Sequence, residues 1–178
     1  MTENYGKKGM SVRTLADELN LWRQVVAAIE TRSAAVSSRQ LLEKLAAIPV
    51  TPSRAGKRLG CYAYRGSEPV VIRLQFAQEE DNLRQTFLHE IAHACDHLSQ
   101  HGGRRQVAHG SSWRQWALAL GIDTATTGCS PAVVALYQQR RKLVAVCLEC
   151  GAEIYRVRRL NRTNRYLHPP CGGILKPL

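Results

Sequence analysis

The chain has no apolar run long enough to cross a bilayer, and its first residues, Met1-Thr2-Glu3-Asn4-Tyr5-Gly6-Lys7-Lys8, hold no apolar export core. A membrane partner and a secretory route are therefore not expected, and a reducing cytoplasm is. Internal repeats and low-complexity tracts are missing too, which excludes repeat architectures. Acidic residues are scarce: 14 Asp and Glu against 25 Lys and Arg leave a net charge of +11. With 178 residues and 44% hydrophobic content the chain can bury a respectable core, and the expected organisation is one compact domain plus a small appendage.

What is present is concentrated in Gln85-Thr86-Phe87-Leu88-His89-Glu90-Ile91-Ala92-His93-Ala94-Cys95-Asp96-His97. An α-helix turns about 100° and rises about 1.5 Å per residue, so His89 and His93 stand one turn apart, close enough to share an ion. Glu90 cannot comfortably share that vertex. It stands beside it, placed to take a proton from water and pass it to a leaving amine. This is the layout of a catalytic zinc site. Asp81 or Asn82 can cap the helix, and Leu83, Phe87, Ile91, Ala94, Cys95 and Leu98 recur at the spacing of a buried stripe.

A catalytic zinc needs a third protein ligand and an open position. His97 and His101 continue the step of four, but each step rotates about 40° and climbs about 6 Å, so His97 joins His93 only by leaving His89 behind. His109 is the stronger candidate. Gly102-Gly103 ends the helix and lets the chain reverse, bringing Val107-Ala108-His109-Gly110 back over the site. Ser111 or Ser112 then caps a helix through Trp113, Trp116, Leu118 and Leu120. Should His109 be dispensable, His97 or a carboxylate such as Asp96 would take its place.

A second constellation lies near the C-terminus. Cys147-Leu148-Glu149-Cys150-Gly151 and His168-Pro169-Pro170-Cys171-Gly172-Gly173 form two ligand pairs, each spaced by two residues and followed by glycine, as in paired zinc knuckles. Ile154 to Arg158 and Arg165-Tyr166-Leu167 alternate as strands do. The expected product is a small zinc ribbon with a structural Cys147/Cys150/His168/Cys171 site, whose imidazole makes it less negative than four thiolates and more sensitive to acid. The other cysteines, Cys61, Cys95 and Cys129, are isolated and expected to be partly buried, so the six are no disulfide framework.

Positive charge gathers in the same region. Residues 137–178 hold nine basic side chains against Glu149 and Glu153, a local net of +7. Arg156, Arg158, Arg159, Arg162 and Arg165, interleaved with Tyr155 and Tyr166, suit phosphate contacts with occasional base stacking, as single-stranded or structured DNA requires. No base-reading code is visible, so such binding would weaken steeply with salt.

Taken together, His89-Glu90-x-x-His93 followed by His109-Gly110-x-x-Trp113 resembles the SprT-like (Spartan-type) metalloprotease family. The resemblance extends upstream to Arg58-Leu59-Gly60 and the strand Val70 to Phe76, and downstream to the cysteine-bearing ribbon, covering most of the chain from about Val50. It implies zinc-dependent proteolysis of proteins attached to or associated with DNA, with His89, His93 and His109 as ligands and Glu90 as general base. A prokaryotic member would be nucleoid-associated.

The rest is scaffold. Val12 to Ile29 and Ser37 to Ile48 read as amphipathic helices, the second opened by a Ser37/Gln40 capping box with Leu41, Leu42 and Leu45 facing inward. Thr51 to Gly56 reads as a linker. Leu59 to Tyr64 and Val70 to Phe76 flank the hairpin signal Arg65 to Pro69, with Ile72, Leu74 and Phe76 alternating with Arg73 and Gln75. A strand packed near the metal helix can offer its edge to an extended peptide. Pro131 opens a helix over Ala132 to Arg141. The fold class is α+β: a zincin-like metalloprotease domain, helices plus a small antiparallel sheet, over residues 12–142; a β zinc ribbon over 143–178; and a flexible leader over 1–11, with Met10 an alternative start. Two zinc ions follow, one catalytic and one structural. Two other functions fit: a DNA-binding ribbon protein with a vestigial protease site, and a His-Glu-x-x-His peptidase cleaving one regulatory protein. Oligomeric state is not legible.

Overall fold

The computed structural model describes residues 9–32, 35–56, 58–99, 107–124 and 128–178. Where the periodicity over Val12 to Ile29 predicts one helix, the chain forms two, α1 (Val12–Glu18) and α2 (Trp22–Arg32). Asn20 adopts φ 55°, a left-handed conformation that stops α1 and lets both Leu19 and Leu21 enter the core. The elbow's polar groups are paired: Leu21 N–H donates to the Ala16 carbonyl at 2.7 Å, and the Arg84 guanidinium to the Leu19 carbonyl. Of the leader expected over 1–11, residues 1–8 lie outside the described residues. Met10 already packs on the core and Ser11 caps α1 through the Thr14 amide.

Helix α3 (Ala35–Ala46) starts before the Ser37/Gln40 box, so Ser37 sits inside its first turn and not at its cap. Leu41 and Leu45 are buried as expected. The linker expected at Thr51 begins later: Val50–Pro52 forms β1, parallel to β3 (Glu68–Leu74), with β2 (Gly60–Arg65) antiparallel on β3's other side. Val50 is buried, which draws the segment into the sheet, and Pro52 ends an edge strand, where its missing N–H leaves no ladder bond unmade. The order β1-β3-β2 therefore makes the small sheet mixed. Gln75 is also buried and not outward, because its amide donates to the Ala55 carbonyl and its oxygen accepts from the Ala77 N–H where the chain leaves β3.

Helix α4 (Glu80–Ser99) follows, its first backbone bond running from Leu83 N–H to the Glu79 carbonyl, so Asp81 and Asn82 lie within its first turn and do not cap it. The Glu79 carboxylate accepts from the Ser130 hydroxyl, the Ala132 amide and the Asn82 side chain, which holds its pKa down to about 2. Helix α5 (Ser111–Ala119) is entered from Gly110 with no side-chain cap, so neither Ser111 nor Ser112 caps it. Leu83, Phe87, Ile91, Ala94 and Cys95 of α4 join Trp113, Trp116 and the α1–α3 leucines in one core.

Helix α6 (Pro131–Gln139) leads to β4 (Lys142–Cys147), β5 (Glu153–Arg156) and β6 (Leu175–Pro177), ordered β5-β4-β6. The strand expected over Arg165 to Leu167 is a single bridge, Leu167 to Ile174. The chain divides into two compact units, Met1–Ala132 and Val133–Leu178. Among the described residues no helix is long and apolar enough to cross a membrane.

Because Asn20 carries the left-handed turn, Asn20→Gly should leave stability near wild type, whereas Asn20→Val should lower it by about 1–2 kcal/mol. Tryptophan fluorescence during chemical denaturation reads this in the first unit, where all three tryptophans lie.

Candidate metal centres and active-site cleft

Helix α4 presents His89 and His93, and the turn before α5 presents His109. The Nε2 atoms of His89 and His93 each lie 3.1 Å from Nε2 of His109. Three nitrogens around a tetrahedral zinc at about 2.05 Å would stand about 3.3 Å apart, so the spacing fits one ion with a side left open. His109 reaches inward from φ 59°, inside a turn closed by Gly110 N–H to the Val107 carbonyl at 2.9 Å. The fully buried Trp113 ring packs against all three imidazoles, with centroids 4.7, 5.3 and 4.5 Å from His89, His93 and His109. Burial, then the neighbouring ring of His109, lowers His89 to about 4. Burial, then His89 and His109, lowers His93 to about 3. His109 is lowered by burial and Arg114. Neutral rings are the ligand form.

Glu90 is buried to 6% exposure yet lines the same cleft. Its Oε2 accepts the Tyr62 backbone N–H at 2.7 Å. Burial raises its pKa to about 7 against the opposing pull of that amide and of Arg58, which puts it in the range of a base working near neutrality. Gly60 leaves room for this arrangement, since a Cβ there would lie 2.6 Å from both Glu90 Oε1 and Thr86 Cγ2. The cleft encloses about 760 Å³; β2 forms one wall, and His89, His93, His109 and Glu90 also line it. Strand β2 is an edge strand of its sheet, and its Tyr62 amide points away from β3 toward Glu90.

His97 does not join the histidine cluster. Its Nδ1 meets the Tyr62 hydroxyl at 2.7 Å and its Nε2 the Gly66 carbonyl at 2.9 Å. Asp96 is buried and also outside the cluster. His101 and Gly102-Gly103 fall outside the described residues. Sequence reasoning missed Tyr62 and the Trp113 floor. Trp113 is visible there as a helix residue and as the aromatic that follows His109-Gly110, but not as a ring beneath the histidines, and nothing in the sequence marks the Tyr62 amide, which strand pairing delivers.

In the second unit, Cys147, Cys150, His168 and Cys171 converge. Cys147 Sγ lies 3.5 Å from Cys171 Sγ, Cys150 Sγ 3.3 Å from His168 Nδ1 and 3.4 Å from Cys171 Sγ, and His168 Nδ1 3.2 Å from Cys171 Sγ. Sulfurs in a disulfide stand about 2.05 Å apart, whereas donors around one zinc stand about 3.6–3.8 Å apart, so the cluster fits an ion. The Cys150 amide leads in pulling the Cys147 thiol down. At Cys171 the Gly173 amide pulls down, but burial and the thiols of Cys150 and Cys147 outweigh it. Gly173 is required, since a Cβ there would lie 2.7 Å from Cys147 Sγ. Cys61 is half-buried and Cys95 buried, but Cys129 is exposed, in the irregular stretch before α6.

Arg156, Arg158, Arg159, Arg162 and Arg165 are all exposed, as is Tyr155 at 42%. Tyr166 is half-buried: it packs on the ribbon's small core, and its hydroxyl accepts the Asn161 N–H at 3.2 Å.

No curated protein matches the chain significantly. The SprT-like family model matches residues 29–134, well over half of the chain, spanning all three converging histidines, the buried glutamate and the edge strand. On that match and an α+β fold with a zincin-like domain, the chain belongs to the SprT-like family, which is generally metallopeptidase-like.

Proposed function

We propose that the chain is a zinc-dependent endopeptidase that hydrolyses proteins crosslinked to or associated with DNA, recruited there by its basic ribbon. One observation carries the peptidase reading: three imidazole nitrogens converge beside a buried carboxylate in a cleft walled by an edge strand. His89, His93 and His109 would hold the catalytic ion, and Cys147, Cys150, His168 and Cys171 the structural one. Zinc supplies Lewis-acid polarisation and acidifies water. The chain's own residues do the rest. An extended peptide lies along the outer edge of β2, beside the Tyr62 amide that Glu90 occupies, which lays its backbone across the histidines. Glu90 takes a proton at its carboxylate and hands it to the leaving nitrogen, while the Tyr62 amide holds that carboxylate in line. The DNA reading draws on the five exposed arginines, whose positive field matches a phosphate backbone, and on the exposed Tyr155 ring beside them.

The deciding experiment is cleavage of a protein covalently crosslinked to DNA, with single-stranded, duplex or no free DNA. Fragments that depend on Glu90 and are stimulated by DNA are expected. Glu90→Gln should keep its zinc and lose about 10²–10⁴-fold in rate. Zinc and DNA bound with no cleavage would favour a binding module, and cleavage of one partner without DNA dependence a dedicated regulatory peptidase.

Metal analysis of the full chain should find two zinc ions. His109→Ala should lose one and with it turnover, and Cys150→Ala should lose the other; a fully metallated, active His109→Ala removes His109 from the site.

Arg158→Ala with Arg159→Ala should weaken DNA binding evenly across sequences and make the salt slope shallower by about one for each phosphate that is no longer neutralised. Fluorescence anisotropy over a salt series measures it, and an unchanged slope takes both arginines out of the interface.

A further inference from the structure

We infer that His97 is a positioning residue: it struts the β2–β3 hairpin to the metal helix and so fixes the Tyr62 amide against Glu90. The inference rests on the reading of Glu90 as the catalytic base. His97 lies one turn beyond His93 on α4 and turns its ring to the hairpin. The Gly66 carbonyl can only accept, so Nε2 at 2.9 Å is the donor, which leaves Nδ1 of the neutral ring to accept from the Tyr62 hydroxyl at 2.7 Å. The Tyr64 ring packs on the same imidazole, with centroids 4.2 Å apart and planes tilted by 30°. One side chain thus grips the hairpin at its turn, through Gly66, and in the middle of β2, through Tyr62.

The grip matters because, among the described residues, β2 has a strand partner on one side only. Its other side faces the cleft, where Tyr62 N–H holds Glu90 Oε2 at 2.7 Å. Tyr62 is therefore held twice, its hydroxyl by His97 and its amide by Glu90, both residues of α4. Cutting the first link frees the strand to drift from the helix and takes the second with it. A misplacement of about 1 Å at a reacting group can cost about a hundredfold in rate.

The test uses the full, zinc-loaded chain with two readouts: hydrogen–deuterium exchange of the segment 60–66, and kcat/KM on a cleaved substrate. His97→Ala should speed exchange in that segment and lower kcat/KM by about 10- to 100-fold, mostly in kcat, with zinc content unchanged. Tyr62→Phe, which removes the same hydrogen bond from the other end, should give a similar loss, and the double variant no greater one. His97→Gln, which keeps an acceptor and a donor at its tip, should recover most of it. Wild-type exchange in His97→Ala, or losses that multiply in the double variant, would overturn the strut. Should His97→Ala fail to fold, Tyr62→Phe alone decides by the same exchange measurement. Should the wild-type chain cleave nothing, the peptidase reading falls by itself while exchange still decides the strut.

Discussion

The carboxylate of Glu90 is buried where the core meets the cleft, and much of the first unit is arranged around that placement. An ionised carboxylate with 6% exposure is costly unless hydrogen bonds answer it. The Tyr62 amide answers one oxygen, 2.7 Å from N to Oε2, at the expense of an edge strand that must stay within hydrogen-bond reach of that side chain. Gly60 must lack a side chain for the strand to come that near. Burial in turn lifts the pKa of Glu90 to about 7, so the environment that burdens folding is the one that makes the group a competent base near neutrality.

The two donor clusters differ in a way that follows from their surroundings. Around His89, His93 and His109, a fully buried tryptophan closes one side and the cleft leaves the other open, so an ion held by these three donors would keep a fourth position open to the cleft. In the ribbon four donors face one another across two tight turns, with Gly173 pressed so close that no side chain fits. A closed set of four donors is the structural kind of site, and an open set of three the catalytic kind.

The parts of this design written in local spacing were legible in the sequence. His89 and His93 follow from helical pitch, the cysteine pairs from knuckle spacing, and the buried stripe of α4 from its period. What was not legible depends on backbone atoms or on partners far along the chain. Tyr62 acts on Glu90 through an amide that every residue but proline possesses, across 28 residues of sequence. Asn20 broke a helix that its neighbours' periodicity favoured, because tertiary packing of Leu19 and Leu21 outweighed local propensity. Composition shows Tyr166 as an aromatic among arginines but not that its ring also packs on the ribbon's small core.

The units also differ in what a metal must do for their folding. Among the described residues, the first unit's core gathers 27 buried apolar side chains, including Phe87, Trp113 and Trp116, enough to stand without an ion. The second unit's core has five, Val144, Ala145, Cys147, Leu160 and Leu175, and one of these is itself a donor. Such a cluster cannot offset the ordering of 46 residues. A metal held between its knuckles would supply the difference, as in other small metal-dependent modules. Metal at the ribbon would then be a condition of structure, while metal at the histidines would be a condition of the proposed chemistry alone. The same ion removed from the two places would unfold one unit and leave the other intact but idle.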